Sequence, residues 1–280
     1  MTIFNFFTGK KNKPVFSNEY KKFIRKQKTV KVSIIVLQIT LLIAFIGIWE
    51  MLARLGVINT FLTSSPTRML NTFISLFESN TLFYHIGVTL YEALIAFFLA
   101  TILGAIIAII LWWSNYLRRV LDPYIVVLNS LPKIALGPMI IIWVGIGTSA
   151  IVTMAILIMI IITIISILHS LNSCDKNKIL LLKSMNASKL QILTKLVLPN
   201  ALPDFISVLK INVGLTWVGT IMGEYLVSEA GLGYLIIYGG QVFKLDLVMT
   251  STAILCILAA IMYFIVAYFE KRVSKSYKLK

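Results

Sequence analysis

Charge is scarce in this chain, and negative charge scarcest of all: 13% of residues are charged, with 26 lysines and arginines against 11 aspartates and glutamates. About a quarter of an ordinary soluble chain is charged. With 59% hydrophobic residues and a mean hydropathy of +0.91, too much apolar surface is present for a solvated globular domain to hide. Cysteine is nearly absent. Cys174 falls in a predicted loop and Cys256 inside the last apolar run, so no disulfide or metal spacing exists, and both thiols read as inert. The two histidines, His85 and His169, sit at opposite ends of apolar runs and form no metal pair. No Gly-rich phosphate loop ending in Lys-Ser/Thr, no His-Glu-x-x-His and no Gly-x-Ser-x-Gly occurs. The reading is of a chain without catalytic residues, metal ligands or a cofactor of its own.

What is abundant is long apolar sequence. A helix of about 20 apolar residues crosses a bilayer. Six such runs are present: Val30–Ala53, His85–Trp112, Asp122–Val144, Ala150–Leu168, Phe205–Met222 and Leu247–Phe269. They are continuously apolar rather than alternating, which argues against a β-barrel. The fold class predicted is an all-α polytopic membrane protein with six spans. The first run follows about 30 polar residues and lacks a cleavage pattern, so it reads as a span and not a signal peptide. The formal charge of +15 invites a nucleic-acid reading. Its distribution opposes one. Basic residues gather at Lys10–Lys31, Arg118–Arg119, Lys176–Lys195 and Lys271–Lys280, while the segments Arg54–Tyr84, Gly145–Ser149 and Gly223–Asp246 hold only Arg54, Arg68 and Lys244. This is the positive-inside pattern. It predicts both termini and both basic loops in the cytoplasm, against anionic lipid, in a prokaryotic cell membrane.

Residues 1–29 read as a basic tail, with Ser17–Val30 as an interfacial amphipathic helix or a disordered arm; residues 30–280 form the membrane domain. Ser65 is a predicted N-cap with Pro66 at the first position of a short outer helix. The third run carries Pro123, Pro132 and Pro138, and freed carbonyls inside a membrane need protein or water. That run is therefore predicted to face other helices. Lys133 within it either contacts a pathway or snorkels to the inner headgroups. No solenoid repeat or inverted repeat is visible.

The long loop at residues 170–204 is the most informative segment. Its local chemistry predicts a helix, a turn at Asn186, then a second helix. Asparagine tolerates the left-handed conformation. Ser188 and Gln191 form a capping box. Leu190, Leu193 and Val197 then share one face, with Lys189 outside it, and Pro199 is expected to stop the helix.

This loop resembles the cytoplasmic loop of permeases of ATP-binding-cassette importers, whose pattern is Glu-Ala-Ala, three residues, Gly, nine residues, Ile, one residue, Leu-Pro. With Asn186 at the glycine, Leu196, Leu198 and Pro199 fall on the last positions without a gap. Leu131-Pro132, Ala135–Pro138, Trp143–Gly147, Leu198–Pro203 and Glu229–Ile236 are similar to the nitrate/sulfonate/bicarbonate (taurine-type) branch. Two departures stand out: Leu180-Leu181-Leu182 replaces Glu-Ala-Ala, and Asn186 replaces glycine. The resemblance implies the type I importer fold. It implies an ATP-driven importer in which Lys183, Asn186, Ala187, Ser188, Lys189, Leu190, Leu198 and Pro199 dock a cytoplasmic ATPase dimer that holds ATP-Mg. It also implies a second permease copy and an external solute-binding protein. An ATP-independent transporter or channel is the alternative. Nucleic acid is not an expected partner.

Polar groups at membrane depth are costly, so each is a candidate. Asn129 and Ser130 in the third run, and Asn212, Thr216, Trp217 and Thr220 in the fifth, either line the solute path or bond neighbouring helices, with Gly214 and Gly219 allowing close approach. Glu92 reads as paired with a polar neighbour. Glu224 and Glu229 beside a glycine-rich stretch read as an outer gate or as a plain loop.

Overall fold

Five of the six apolar runs fold as single helices long and apolar enough to cross a bilayer, and the third folds as two helices bent by 87°. The structure is a computed structural model that describes residues Asn18–Lys278. The chain divides into two units, Met1–Thr60 and Phe61–Lys280.

In the first unit α1 (Asn18–Arg54) is one helix of 37 residues. Such a helix rises about 55 Å, against about 30 Å of hydrocarbon. Its basic first turns therefore extend beyond the apolar core. The segment predicted as a separate interfacial helix is helical from Asn18 and runs into the span without a break. The remainder of the predicted tail, residues 1–17, lies outside the described residues. An ion pair of 2.7 Å between Glu50 and Arg54 closes the last turn.

After the short turn α2 (Thr60–Thr63), α3 (Pro66–Glu78) begins as predicted: the Ser65 side chain accepts the Arg68 N–H and Pro66 opens the helix. Then come α4 (Thr81–Trp113), the bent pair α5 (Asn115–Ser130) and α6 (Gly137–Val144), and α7 (Thr148–Asn172). The loop helices α8 (Lys176–Ser184) and α9 (Lys189–Ile192) precede α10 (Leu198–Val227), α11 (Leu232–Gln241) and α12 (Leu245–Lys278).

Helix α7 packs along both α4 and α10 and forms the centre of this unit. Small residues make that approach close. Ala93, Ala96, Ala100, Gly104 and Ala108 line the buried side of α4. A Cβ at Gly104 would lie 2.7 Å from Thr163 Cγ2; one at Gly219 would lie 2.6 Å from the Ala155 Cα. Packing of this kind replaces the hydrophobic drive that lipid removes. Gly214, expected to help, faces open space. Helix α12 is tied at one end by Arg68–Asp246 at 2.8 Å and at the other by Lys210–Glu270 at 2.7 Å.

The third run lies at the edge of the bundle. Helix α5 has no buried residue, and α6 buries Gly137 and Ile140 against α7 and α10, where Ala150, Met154 and Leu226 meet them. The prolines are accommodated by a bend. Pro132 lies at the break, a 3-10 turn spans Lys133–Leu136, and Pro138 falls in the first turn of α6. Beside the break, side chains donate to helix carbonyls: Ser130 Oγ to Val126 O at 2.8 Å and Lys133 Nζ to Asn129 O at 3.1 Å.

Candidate functional site: the α8–α9 corner and the α11 clamp

Asp175 caps α8 by accepting the Asn177 N–H at 2.8 Å. At the other end the chain reverses through Asn186, at φ +60°. The Asn186 N–H bonds the Lys183 carbonyl at 3.0 Å and the Ala187 N–H bonds the Leu182 carbonyl at 2.9 Å. This is a Schellman closure with asparagine in the left-handed position. One residue later the predicted capping box is complete: Ser188 Oγ accepts the Gln191 N–H at 3.3 Å, and the Gln191 carbonyl oxygen accepts the Ser188 N–H at 2.8 Å. The corner is thus fixed by hydrogen bonds on both arms.

Beyond the box, Pro199 does not stop the helix, as it was expected to. A π turn over Leu193–Val197 leads into α10, and the Leu198 N–H reaches back five residues to Leu193. Proline in a regular helix clashes with the carbonyl four residues back, and the wider turn makes room. Ile192, Leu193 and Val197 are buried, while Leu190 is exposed. From Lys189 to Val227 the backbone is one helical element of 39 residues, with Pro203 also inside it.

Lys189 is exposed and also anchored within the chain. Its ammonium donates to the Trp113 carbonyl and lies 5.3 Å from the centroid of the Trp113 ring. That fastens the corner to the end of α4. A cavity of about 350 Å³ opens between the corner and the helix ends, lined by Trp112, Asn115, Asn172, Lys183, Ala187 and Lys189. Leu198 is exposed and Pro199 half-buried. Cys174 is buried beneath α8, and burial pushes its thiol up.

The polar stripe of α10 points into the bundle. Asn212, Thr216 and Thr220 are fully buried, and Trp217 nearly so. Asn212 Nδ2 donates to Thr101 Oγ1 at 3.1 Å and Thr163 Oγ1 donates to Asn212 Oδ1 at 3.1 Å, joining α10 to α4 and α7. Thr216 Oγ1 donates to its own helix at Asn212 O. Asn129 and Ser130, on α5, are exposed.

At the far end of α10, Glu224 and Glu229 separate. Glu224 is 1% exposed, whereas Glu229 is exposed at the mouth of a cavity of about 380 Å³ that Glu92 and Thr148 also line. Glu224 is therefore turned into the protein rather than toward solvent. It accepts the Gly233 N–H. Thr89 Oγ1 accepts the Leu232 N–H at 2.7 Å and His85 Nδ1 the Gly231 N–H at 3.0 Å. Three of the four amides that a helix start leaves unpaired are thus satisfied by side chains of α4 and α10. A Cβ at Gly231 would fall 2.5 Å from the Glu224 carboxyl. Only glycine fits. Glu92, also buried, accepts from Thr148 Oγ1 at 2.9 Å, as its reading anticipated, and faces Glu224. One oxygen of each carboxyl, Glu92 Oε2 and Glu224 Oε1, is buried without a hydrogen-bond partner. This knot was missed as a unit. The separate signals were a glutamate inside an apolar run and the spacing Gly231-x-Gly233.

Residues 100–275 match the family described as binding-protein-dependent transport system inner membrane component. A probable ABC transporter permease protein of Haemophilus influenzae is 31% identical over 217 residues, covering 78% of this chain and 88% of that protein. The taurine transport system permease protein TauC of Escherichia coli is 27% identical, covering 80% and 84%. The formylaminopyrimidine transport permease protein ThiX of Halalkalibacterium halodurans is 30% identical, covering 67% and 74%. Among solved structures, the inward-facing MetNI methionine ABC transporter aligns with a TM-score of 0.62 at 20% identity, covering 70% of this chain and 97% of that one.

Proposed function

Because the chain belongs to the family of inner-membrane components of binding-protein-dependent transport systems, we propose that it is the membrane-spanning permease of an ATP-driven importer coupled to its ATPase through the α8–α9 corner. The observation that carries this reading is mechanical. The corner is capped on both arms and continuous with α10, so a push on it is delivered to a span without a flexible joint.

In this reading both termini and the corner lie in the cytoplasm, where the lysines cluster. Two ATPase subunits hold the ATP-Mg, and a solute-binding protein delivers its cargo outside. The bent third run is offered to a second copy of the chain: Ile142, Trp143 and Ile146 are highly exposed and uncharged. Solute passes between the copies, past Asn129 and Ser130, with the buried stripe of Asn212, Thr216 and Thr220 stiffening the wall behind. The relatives named for taurine and formylaminopyrimidine transport point to a small organic solute such as a sulfonate or a vitamin precursor.

The test is Ala187→Glu in proteoliposomes with ATPase and binding protein. Ala187 is half-buried at the corner. The expected result is ATP hydrolysis no longer stimulated by loaded binding protein, and uptake lost at least tenfold, with normal insertion. Uptake by the variant at the wild-type rate, or ATP-independent flux by the chain alone, would sink the coupling reading.

A further inference from the structure

Helix α8 carries four apolar residues in a row, Ile179-Leu180-Leu181-Leu182. Successive residues turn by about 100°, so these four side chains point in every direction around the helix. A helix apolar all round is buried all round. Within this chain only one side is covered: Ile179 and Leu182 are half-buried against the cluster of Ile167, Leu171, Cys174 and Ile192. Leu180 and Leu181 point the other way, 66% and 60% exposed, and Met185, one turn beyond Leu181, is 70% exposed. Asn177 and Ser184, both uncharged, complete this outer face. Lys176 and Lys183 flank it on one side and Lys178 on the other, all three exposed.

The outer face is thus an apolar stripe between two lysine edges, turned directly away from the helix bundle. It has the layout of a protein interface, an apolar centre with a charged rim. A helix lying in the headgroups would sort its residues differently, with leucines toward the bundle side where the bilayer is and lysines opposite. Here the leucines occupy both sides.

We propose that the Leu180–Leu181–Met185 stripe seats in a cytoplasmic ATPase groove with an apolar floor and an acidic rim. This rests on the coupling reading above and states the chemistry of that contact. Binding energy comes from burying the leucines and Met185, and the lysines supply approach and register. An acidic side chain at position 180 harms docking, because it would be desolvated against an apolar floor and face carboxylates at the rim.

The experiment uses the full chain in phospholipid vesicles and, as probe, the ATPase that co-purifies with the wild-type chain. Leu181→Asp, Met185→Asp and Leu180→Glu are each expected to weaken ATPase binding at least tenfold at both low and high salt. Leu181→Met is expected to retain it. Lys178→Glu and Lys183→Glu are expected to weaken binding at about 50 mM salt and to approach the wild type near 0.5 M, where the screening length falls to a few ångströms. These positions are exposed, and unchanged thermal unfolding in detergent verifies that each variant folds. A cysteine at position 181 gives an independent readout. Aqueous maleimide is expected to label it rapidly without the ATPase and slowly with it, over a low background from buried Cys174 and in-span Cys256.

Wild-type affinity in the aspartate variants, with coupling still lost in Ala187→Glu, would overturn the apolar stripe and leave the docking reading standing. Wild-type coupling in Ala187→Glu as well would remove both. Failure of maleimide to label position 181 without the ATPase would assign the stripe to lipid instead.

Discussion

Asn186 holds φ +60° at the apex of the corner. An ordinary L-residue there costs about 1–2 kcal/mol, and a β-branched one more, whereas glycine costs least. Asn186→Gly is expected to keep full coupling, and Asn186→Val to lower both coupling and the thermal midpoint, read by binding-protein-stimulated ATP hydrolysis and by melting in detergent. At the other end, Glu224→Ala leaves the Gly233 amide of α11 without an acceptor and buries an unfilled space beside Gly231. Each buried unsatisfied group costs about 1–3 kcal/mol, so a marked fall in the thermal midpoint is expected. Glu92→Gln is expected to be much milder, because its amide can donate to the Glu224 oxygen that has no partner. An equal loss in both variants would contradict the paired arrangement. Asn186, Ser188 and Gln191 were legible in the sequence because their bonds are local. The Glu224–Gly233 contact was half-hidden: its two ends are nine residues apart, but His85 and Thr89 come from a helix about 140 residues earlier.

Among the elements, apolar length alone located the spans, since a run of about 20 residues has few other uses. The bend in the third run was announced by Pro123, Pro132 and Pro138, but its angle and its exposure were not, because proline loosens a helix without saying what will cover it. Pro199 misled for a related reason. Local rules make proline a terminator, and the π turn that absorbs it is a response of the whole packed element. The polar stripe was found by its spacing; only packing could say that it faced α4 and α7. Gly219 is the contact that lets this happen, and a larger side chain cannot fit beside the Ala155 backbone. Gly219→Val is expected to part α10 from α7 and abolish stable insertion, as measured by yield of monodisperse protein. Gly214→Ala, which meets open space, is expected to behave as wild type.

For the molecule as a whole, charge distribution is the evidence for direction. Lys271–Lys280 follow the last span, and Arg118–Arg119 lie between the second and third. Reporter fusions after residue 280 and within 115–119 are expected to report the cytoplasm, and a fusion near residue 80 the outside. The reverse pattern would place the corner away from any ATPase. One further consequence lies in the length of the element that begins at Lys189 and ends at Val227. It is gripped where Gly219 and Gly223 meet Ala155 and Ile151, about 45 Å from the corner end and about 12 Å from the clamp end at 1.5 Å per residue. The same element is held along its length as well, by Thr101 and Thr163 at Asn212 and by Glu270 at Lys210. A displacement of the corner therefore reaches α4, α7 and α12 together, and these helices move with it as one body.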